Sequence, residues 1–375
     1  MALDVEPYRL EFPMVRSCTY LNHAAISPIS VRVRTAMTGF LDDVQYFGAR
    51  HFDRWVEAVE SARLKAAHHL NAQPYEIAFA PNTSGALSVF AIALEWETGD
   101  EVVSIEGEFP SNFYPWKTLE RKGVRLRLVQ QKDGEVTLKS IADALTFRTK
   151  AVAISFVQFL SGHRLDLNEL GDFCADRGVL LLVDAIQGCG AFPIDVRAAK
   201  IAGLAAGGHK WLLGPGGCAV LFVREDLAER LCPSVVGWFS VEGWEDFATR
   251  EPVWRKGAGR FECGTLNLVS IFGLGAAFEL LAEIGQDVIS ERILQLTDRL
   301  RAGLTDRGYK IYGPTVGKSR SGIVTFVPHR EDADSLTRRL QAEGIEASSR
   351  SGMVRFSPHF YNTEAEMDRA LRLLE

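Results

Sequence analysis

The chain lacks the features that would tie it to a disulfide scaffold, a metal, a nucleic acid or a membrane. Its six cysteines (Cys18, Cys174, Cys189, Cys218, Cys232 and Cys263) include no pair at C-x-x-C spacing, and a chain of 375 residues buries enough apolar surface to fold without staples. They read as reduced thiols, several of them buried. None of the eight histidines forms an H-x-x-x-H or His/Cys ligand set, so neither a structural nor a catalytic metal is indicated. His68 and His69 read as part of a helix surface. There is no dense Lys/Arg run and the net charge is −6, which leaves no electrostatic footprint for nucleic acid. The N-terminus lacks a basic region followed by an apolar one, and no stretch approaches the roughly 18 apolar residues of a membrane helix. The expectation is a cytoplasmic protein with no nucleic-acid or membrane partner.

What is present is an ordinary globular composition, 47% hydrophobic, arranged in an alternating pattern. From about residue 80 to 225, apolar strands alternate with helical stretches, which predicts a mainly parallel, doubly wound α/β sheet with helices on both faces. Strands are expected at 76–80, 101–105, 124–130, 151–156, 179–184 and 218–223. Between the first two, Leu87, Phe90, Ala91 and Leu94 recur at helical spacing behind Asn82, Thr83 and Ser84, so a helix begins there with hydroxyls and free backbone N–H groups. Residues 226–265 are aperiodic yet carry Trp238, Trp244 and Trp254, the mark of an ordered cover or interface. A long helical region at 267–307 follows, and then strand, strand, helix, strand, strand, helix, a smaller α+β C-terminal domain. The boundary is placed near residue 285, giving a large domain at 21–285 and a small one at 286–375. Thr363-Glu-Ala-Glu366 is a capping-box sequence opening the last helix.

Two residues stand out chemically. Val179-Leu-Leu-Leu-Val-Asp184 reads as a buried strand ending in a carboxylate, and ligands of open α/β sheets sit beyond such strand ends. A buried carboxylate is costly unless a cation faces it, and a protonated pyridine nitrogen would serve. Lys210 follows small residues in Ala205-Ala-Gly-Gly-His-Lys210, so its amine is expected to be desolvated, lowered in pKa and nucleophilic. The pair fits pyridoxal 5'-phosphate chemistry with a Schiff-base lysine. Taken singly, a strand-end acid and a loop lysine carry no such meaning.

Six segments in order complete the pattern: Pro81-Asn-Thr-Ser-Gly85, Glu108-Phe-Pro-Ser-Asn-Phe-Tyr-Pro-Trp116, Ser155-Phe-Val-Gln-Phe-Leu-Ser-Gly162, Val183-Asp-Ala-Ile-Gln187, Gly207-Gly-His-Lys210 and Arg260-Phe-Glu-Cys-Gly-Thr265. With Val354-Arg-Phe-Ser357 and Tyr361-Asn-Thr363 they make the chain resemble the class V aminotransferase family of fold-type I pyridoxal phosphate enzymes, whose members include cysteine desulfurases, selenocysteine lyases and isopenicillin N epimerase. The resemblance implies a role for each residue. Asp184 faces the pyridine nitrogen and Gln187 donates to the cofactor's phenolic oxygen. Lys210 forms the Schiff base and then moves the α-proton, while His209, Thr83 and Ser84 contact the phosphate at a helix N-terminus. Phe109 stands where a stacking ring, commonly histidine, is found, and Gln158 is the amide nearest the ring, Phe159 occupying the commoner asparagine position. Thr265 implies a homodimer with shared active sites. Arg355 clamps the substrate carboxylate, a task suited to a planar charged fork, and His23 borders the substrate. Where Gly207 stands the family usually has serine, so one hydroxyl contact is missing. The resemblance also implies that residues 1–20 pack on the smaller domain.

The reaction is less defined than the cofactor. Cysteine desulfurases carry a nucleophilic cysteine shortly before the carboxylate arginine, whereas Ile345-Glu-Ala-Ser-Ser-Arg-Ser-Gly352 holds none, which argues against a persulfide mechanism. Cys218 and Cys263 read as small buried residues. The main reading is a pyridoxal-phosphate-dependent enzyme of aminotransferase type acting at the α-carbon of an amino acid. A C–S lyase or an epimerase is the alternative, the latter needing a second acid/base from His23, Tyr114 or His359. A catalytically silent cofactor-binding relative is weighed against the intact Asp184 and Lys210. A nicotinamide dehydrogenase is weighed against Gly273-Leu-Gly275, which lies in a helical stretch and not after a strand.

Overall fold

Aliphatic runs without alternation become strands buried on both faces, and consecutive residues feed two separate cores. In the computed structural model, which describes residues 3–248 and 250–374, a short strand β1 (Thr19–Tyr20) precedes seven that form one sheet. These are β2 (Ile77–Ala80), β3 (Glu101–Ile105), β4 (Arg125–Val129), β5 (Thr149–Ser155), β6 (Leu180–Asp184), β7 (Gly203–Gly207) and β8 (Ala219–Val223). Their order is β2-β8-β7-β6-β5-β3-β4, and β8 alone runs against the rest. Val103, Val152, Ile154, Leu181 and Val183 pack into one core, whereas Val102, Ala151, Ala153 and Leu182 pack into the other, as the two-residue period of a strand requires. The result is the mostly parallel, helix-flanked α/β sheet that the alternating sequence pattern predicts.

Six of these strands coincide with the hydrophobic runs. The seventh, β7, carries no such run, because Gly203-Leu-Ala-Ala-Gly207 is built from small residues of weak β propensity. Its smallness has a packing cause: a Cβ on Gly203 would lie 2.2 Å from the Phe90 ring of the helix Thr83–Ala93.

The long helical region is two helices, Leu268–Ile284 and Gln286–Asp306, meeting at 81° across Gly285, whose φ of +92° suits glycine. Ile289 and Ile293 of the second helix enter the large core, and Leu296, Leu300 and Leu304 enter a third. That third core lies under a second sheet of β9 (Lys310–Tyr312), β10 (Val324–Val327), β12 (Ser348–Arg350) and β13 (Met353–Phe356), ordered β12-β13-β10-β9 and antiparallel throughout. A further strand, β11 (Ile345–Glu346), pairs in parallel with β1. The N-terminal segment is tied down by Arg9, which bonds the Tyr361 carbonyl and Glu366, and by Phe12, stacked on Tyr361 at 3.9 Å. The capping box at Thr363 forms with both reciprocal bonds.

His69 departs from the expected helix surface: it is buried against Phe278, and burial lowers its imidazole to about 4. Cys263 is exposed while Cys218 is buried. Among the described residues no single helix is long and apolar enough to cross a membrane.

Candidate active site

A cavity of about 370 Å³ opens at the carboxyl ends of the parallel strands. Asp184 ends β6, Gly207 ends β7 with Lys210 three residues beyond, and the loop after β3 brings in Phe109. Strand parity puts Asp184 on the side of Leu182, the face covered by the helix Thr83–Ala93, so the acid and the N-terminus of that helix meet in one space. Asn82 caps the helix by accepting from the Gly85 N–H, which leaves the first N–H groups facing the cavity beside Thr83 and Ser84.

Thr83, Ser84, Phe109, Asp184, Gln187, His209, Lys210 and Arg355 all line this cavity. The Lys210 amine lies 5.4 Å from the centre of the Phe109 ring. Burial is the largest influence on both charged partners. It raises the Asp184 carboxyl to about 7, with Glu108 adding to the rise and Lys210 opposing it. It lowers the Lys210 amine to about 8, against the pull of Asp184 and with Arg355 and Arg350 acting in the same direction as burial. His209 is lowered by burial and by Lys210, so its ring is neutral at physiological pH. Gln187 donates to the Ala24 carbonyl at 2.9 Å and accepts from the Trp211 indole at 2.9 Å, leaving one amide hydrogen uncommitted.

Three sequence candidates lie elsewhere. Gln158 is buried and donates to Glu108 Oε1 at 2.9 Å, and Phe159 takes the lining position beside Phe109. His23 is fully enclosed: its Nδ1 lies 2.8 Å from the Ser357 carbonyl and therefore carries the proton, so Nε2 accepts from the Tyr361 hydroxyl at 2.6 Å. Thr265 is exposed and borders a separate apolar pocket with Trp55, Trp238 and Phe239. The candidates for a second acid/base are also outside the lining, His359 being sealed by Trp211 O at 3.0 Å and the Phe360 N–H at 2.8 Å, and Tyr114 facing a groove on the other side of Ser84. Asn82, Ser111, Ile186 and Arg350, with Ala24, Ala25 and Ile26, complete a lining that sequence alone did not define. Among the described residues no cysteine lines it.

Arg355 is buried, and no carboxylate of the described chain pairs with it; its Nη1 donates to the Phe159 carbonyl at 2.6 Å. Three buried polar atoms of residues lining the cavity have no partner among the described residues: Asp184 Oδ2, Thr83 Oγ1 and Arg355 Nε. Such atoms are rare and expensive unless a ligand satisfies them. A Cβ on Gly207 would stand 2.9 Å from Thr83 Oγ1 and 3.1 Å from the His209 ring, so the glycine keeps this corner open. Orphaned acid, hydroxyl and guanidinium, with a desolvated lysine among them, match the ring nitrogen, phosphate and carboxylate that pyridoxal phosphate and an amino acid would present.

Sheet and cavity thus define an α/β enzyme built to hold an anionic, nitrogen-bearing ring at its strand ends. The chain belongs to the class V aminotransferase family, whose model matches residues 19–370, and that family depends on pyridoxal phosphate. It is 31% identical to a probable cysteine desulfurase of Methanothermobacter thermautotrophicus over 90% of this chain and 85% of that one. An uncharacterised aminotransferase of Bacillus subtilis is 29% identical over 98% of this chain and 96% of its own length. Among solved structures, the apo cysteine desulfurase of Thermococcus onnurineus superposes with a TM-score of 0.91 at 27% identity, covering 100% of this chain and 98% of that one.

Proposed function

We propose that this chain is a pyridoxal-phosphate-dependent enzyme of aminotransferase type that works at the α-carbon of an amino acid with Lys210 as its one base. The observation that carries this reading is the convergence of Lys210, Asp184 and Arg355 on a single cavity, the latter two with orphaned polar atoms. Pyridoxal phosphate, when bound, supplies an electron sink that weakens bonds at the substrate α-carbon. Asp184 Oδ2 would accept from the ring N–H. Thr83, Ser84 and the N–H groups of their helix would hold the phosphate, with His209 beside them. Phe109 would border the ring, Lys210 would hold the cofactor and serve as the base for the α-proton, and Arg355 would receive the α-carboxylate. Gln158 and His23 lie behind the lining, Gln158 donating to Glu108, which adds to the rise of the Asp184 carboxyl, and His23 accepting from Tyr361.

A C–S lyase that eliminates a sulfur leaving group is the second reading. The cysteine-free lining favours it over a desulfurase that stores sulfur on its own thiol, given relatives described as desulfurases. Epimerisation has less support, since none of His23, Tyr114 and His359 lines the cavity. A panel of amino acids separates the first two readings: transamination converts the visible band to that of the amine form, whereas elimination releases pyruvate or another keto acid with ammonia. A cofactor-loaded protein that leaves every amino acid unchanged sinks both.

We also propose a homodimer with shared sites in the cytoplasm. Exposed Val235, Val236, Trp238, Phe247 and Val253 gather in the stretch before the exposed Thr265, an apolar surface that calls for a cover. Sedimentation as a monomer would remove that part of the reading. The division of the chain near residue 285 is proposed on the sharp turn at Gly285.

A further inference from the structure

Two guanidiniums face the cavity with no acid of the protein between them. Arg350 lies on β12 and Arg355 on β13, and both line the space. In this hairpin Arg355 is paired with Ser348, and Arg350 with Met353. Ser348 and Arg350 are two residues apart on one strand and share a face, so Arg350 sits diagonally across from Arg355 on that face, with Cβ atoms about 7 Å apart. Among the described residues Arg355 bonds only a carbonyl, and Arg350 reaches only the carbonyl of its neighbour Ser349, at 3.0 Å.

The surroundings make this pairing costly. Arg350 and Arg355 both disfavour the charged form of Lys210, and Arg350 does the same to Arg355. Among the described residues Asp184 is the single carboxylate in the lining, and it lies at the strand end assigned to the cofactor ring. One arginine suffices for the α-carboxylate. The second is left for another anion, and its exposed position beside the turn at Ser351 and Gly352 puts it at the substrate's outer end.

We propose that Arg350 selects an amino acid whose short side chain ends in a carboxylate, while Arg355 holds the α-carboxylate. The inference rests on the site reading above and narrows its substrate class. Arg350 is a specificity residue: a charge-assisted bidentate contact to the distal acid favours that side chain over its neutral amide.

The test uses the holoenzyme and an unreactive probe. Calorimetric titration with succinate, which can bridge both arginines, is compared with butyrate, which can engage one. Succinate is expected to bind roughly tenfold more tightly or better. Arg350→Ala brings it down to the butyrate level, and Arg350→Lys restores part of the difference. Equal affinities in the wild type, or a succinate preference that survives Arg350→Ala, overturn the proposal. Succinate binding reports on the arginines whether or not Lys210 carries the cofactor, so a missing visible band would sink the function and leave this result readable. L-aspartate against L-asparagine, followed by the visible spectrum, extends the comparison to amino acids, and stronger perturbation by L-asparagine counts against the proposal.

Discussion

At the scale of single residues, Asp184 and Lys210 are buried ionisable groups that burden the cofactor-free protein. The folded-state pKa of Asp184 is raised from 3.8 to about 7, so the cofactor-free fold loses stability as pH climbs through that interval. That of Lys210 is lowered from 10.5 to about 8, so stability returns as pH climbs from 8 toward 10.5. Both burdens are complete between about 7 and 8. Asp184→Asn is therefore expected to stabilise the cofactor-free protein at pH 7.5 by a few kcal/mol, at most about 4 by the size of the carboxyl shift. The gain should fade as pH approaches the ordinary carboxyl range. Urea denaturation at the two pH values checks it, and an equal effect at both would mean that the carboxylate is not the burdened group. These two residues are legible in sequence because each is a charge set in an apolar or small-residue run. Arg350 is not, because an arginine near a hairpin turn looks like any solvated charge until the strand register places it. Gln158 sits in a motif segment and His23 is implied by the resemblance, yet Glu108 and the Ser357–Tyr361 pair turn their side chains away from the cavity.

At the scale of elements, strands announce themselves by hydrophobic mass and β-branching, and β7 has neither. Its glycines and alanines make room for Phe90 on one side and for the cavity corner at Gly207 on the other. Gly203→Ala is expected to cost about 1–3 kcal/mol through overpacking against Phe90, measured as a lower denaturation midpoint. Pairing it with Phe90→Leu should recover part of the loss, and an unchanged midpoint for the single variant would contradict this account of the strand. The helix Thr83–Ala93 is legible from both its apolar spacing and its Asn82 cap, which is why the residues alone suffice to place the helix N-terminus that opens on the cavity. The split at Gly285 is harder to read, since the apolar pattern runs on through the glycine and the 81° turn depends on its positive φ.

At the scale of the molecule, the site is assembled from parts far apart in the chain. Ala24, Ala25 and Ile26 come from the N-terminal segment, Asp184 and Lys210 from the large sheet, and Arg350 and Arg355 from the second sheet. The second sheet docks through the segment after β5, where Arg355, Thr325 Oγ1 and Ser321 Oγ bond the carbonyls of Phe159, Leu160 and Gly162 at 2.6, 2.5 and 2.6 Å. Tyr361 joins the N-terminus to the same region through Phe12 and His23. Convergence of this kind is set by tertiary packing, so the motif order in the sequence points to the cofactor while leaving the shape of the substrate space open. The central claim is that Lys210 is the residue to which the cofactor attaches. Borohydride reduction of the cofactor-loaded protein, followed by peptide mapping, tests it most directly. Attachment at Lys210 is the expected result; attachment at another lysine, or full cofactor occupancy with no lysine modified, would contradict it.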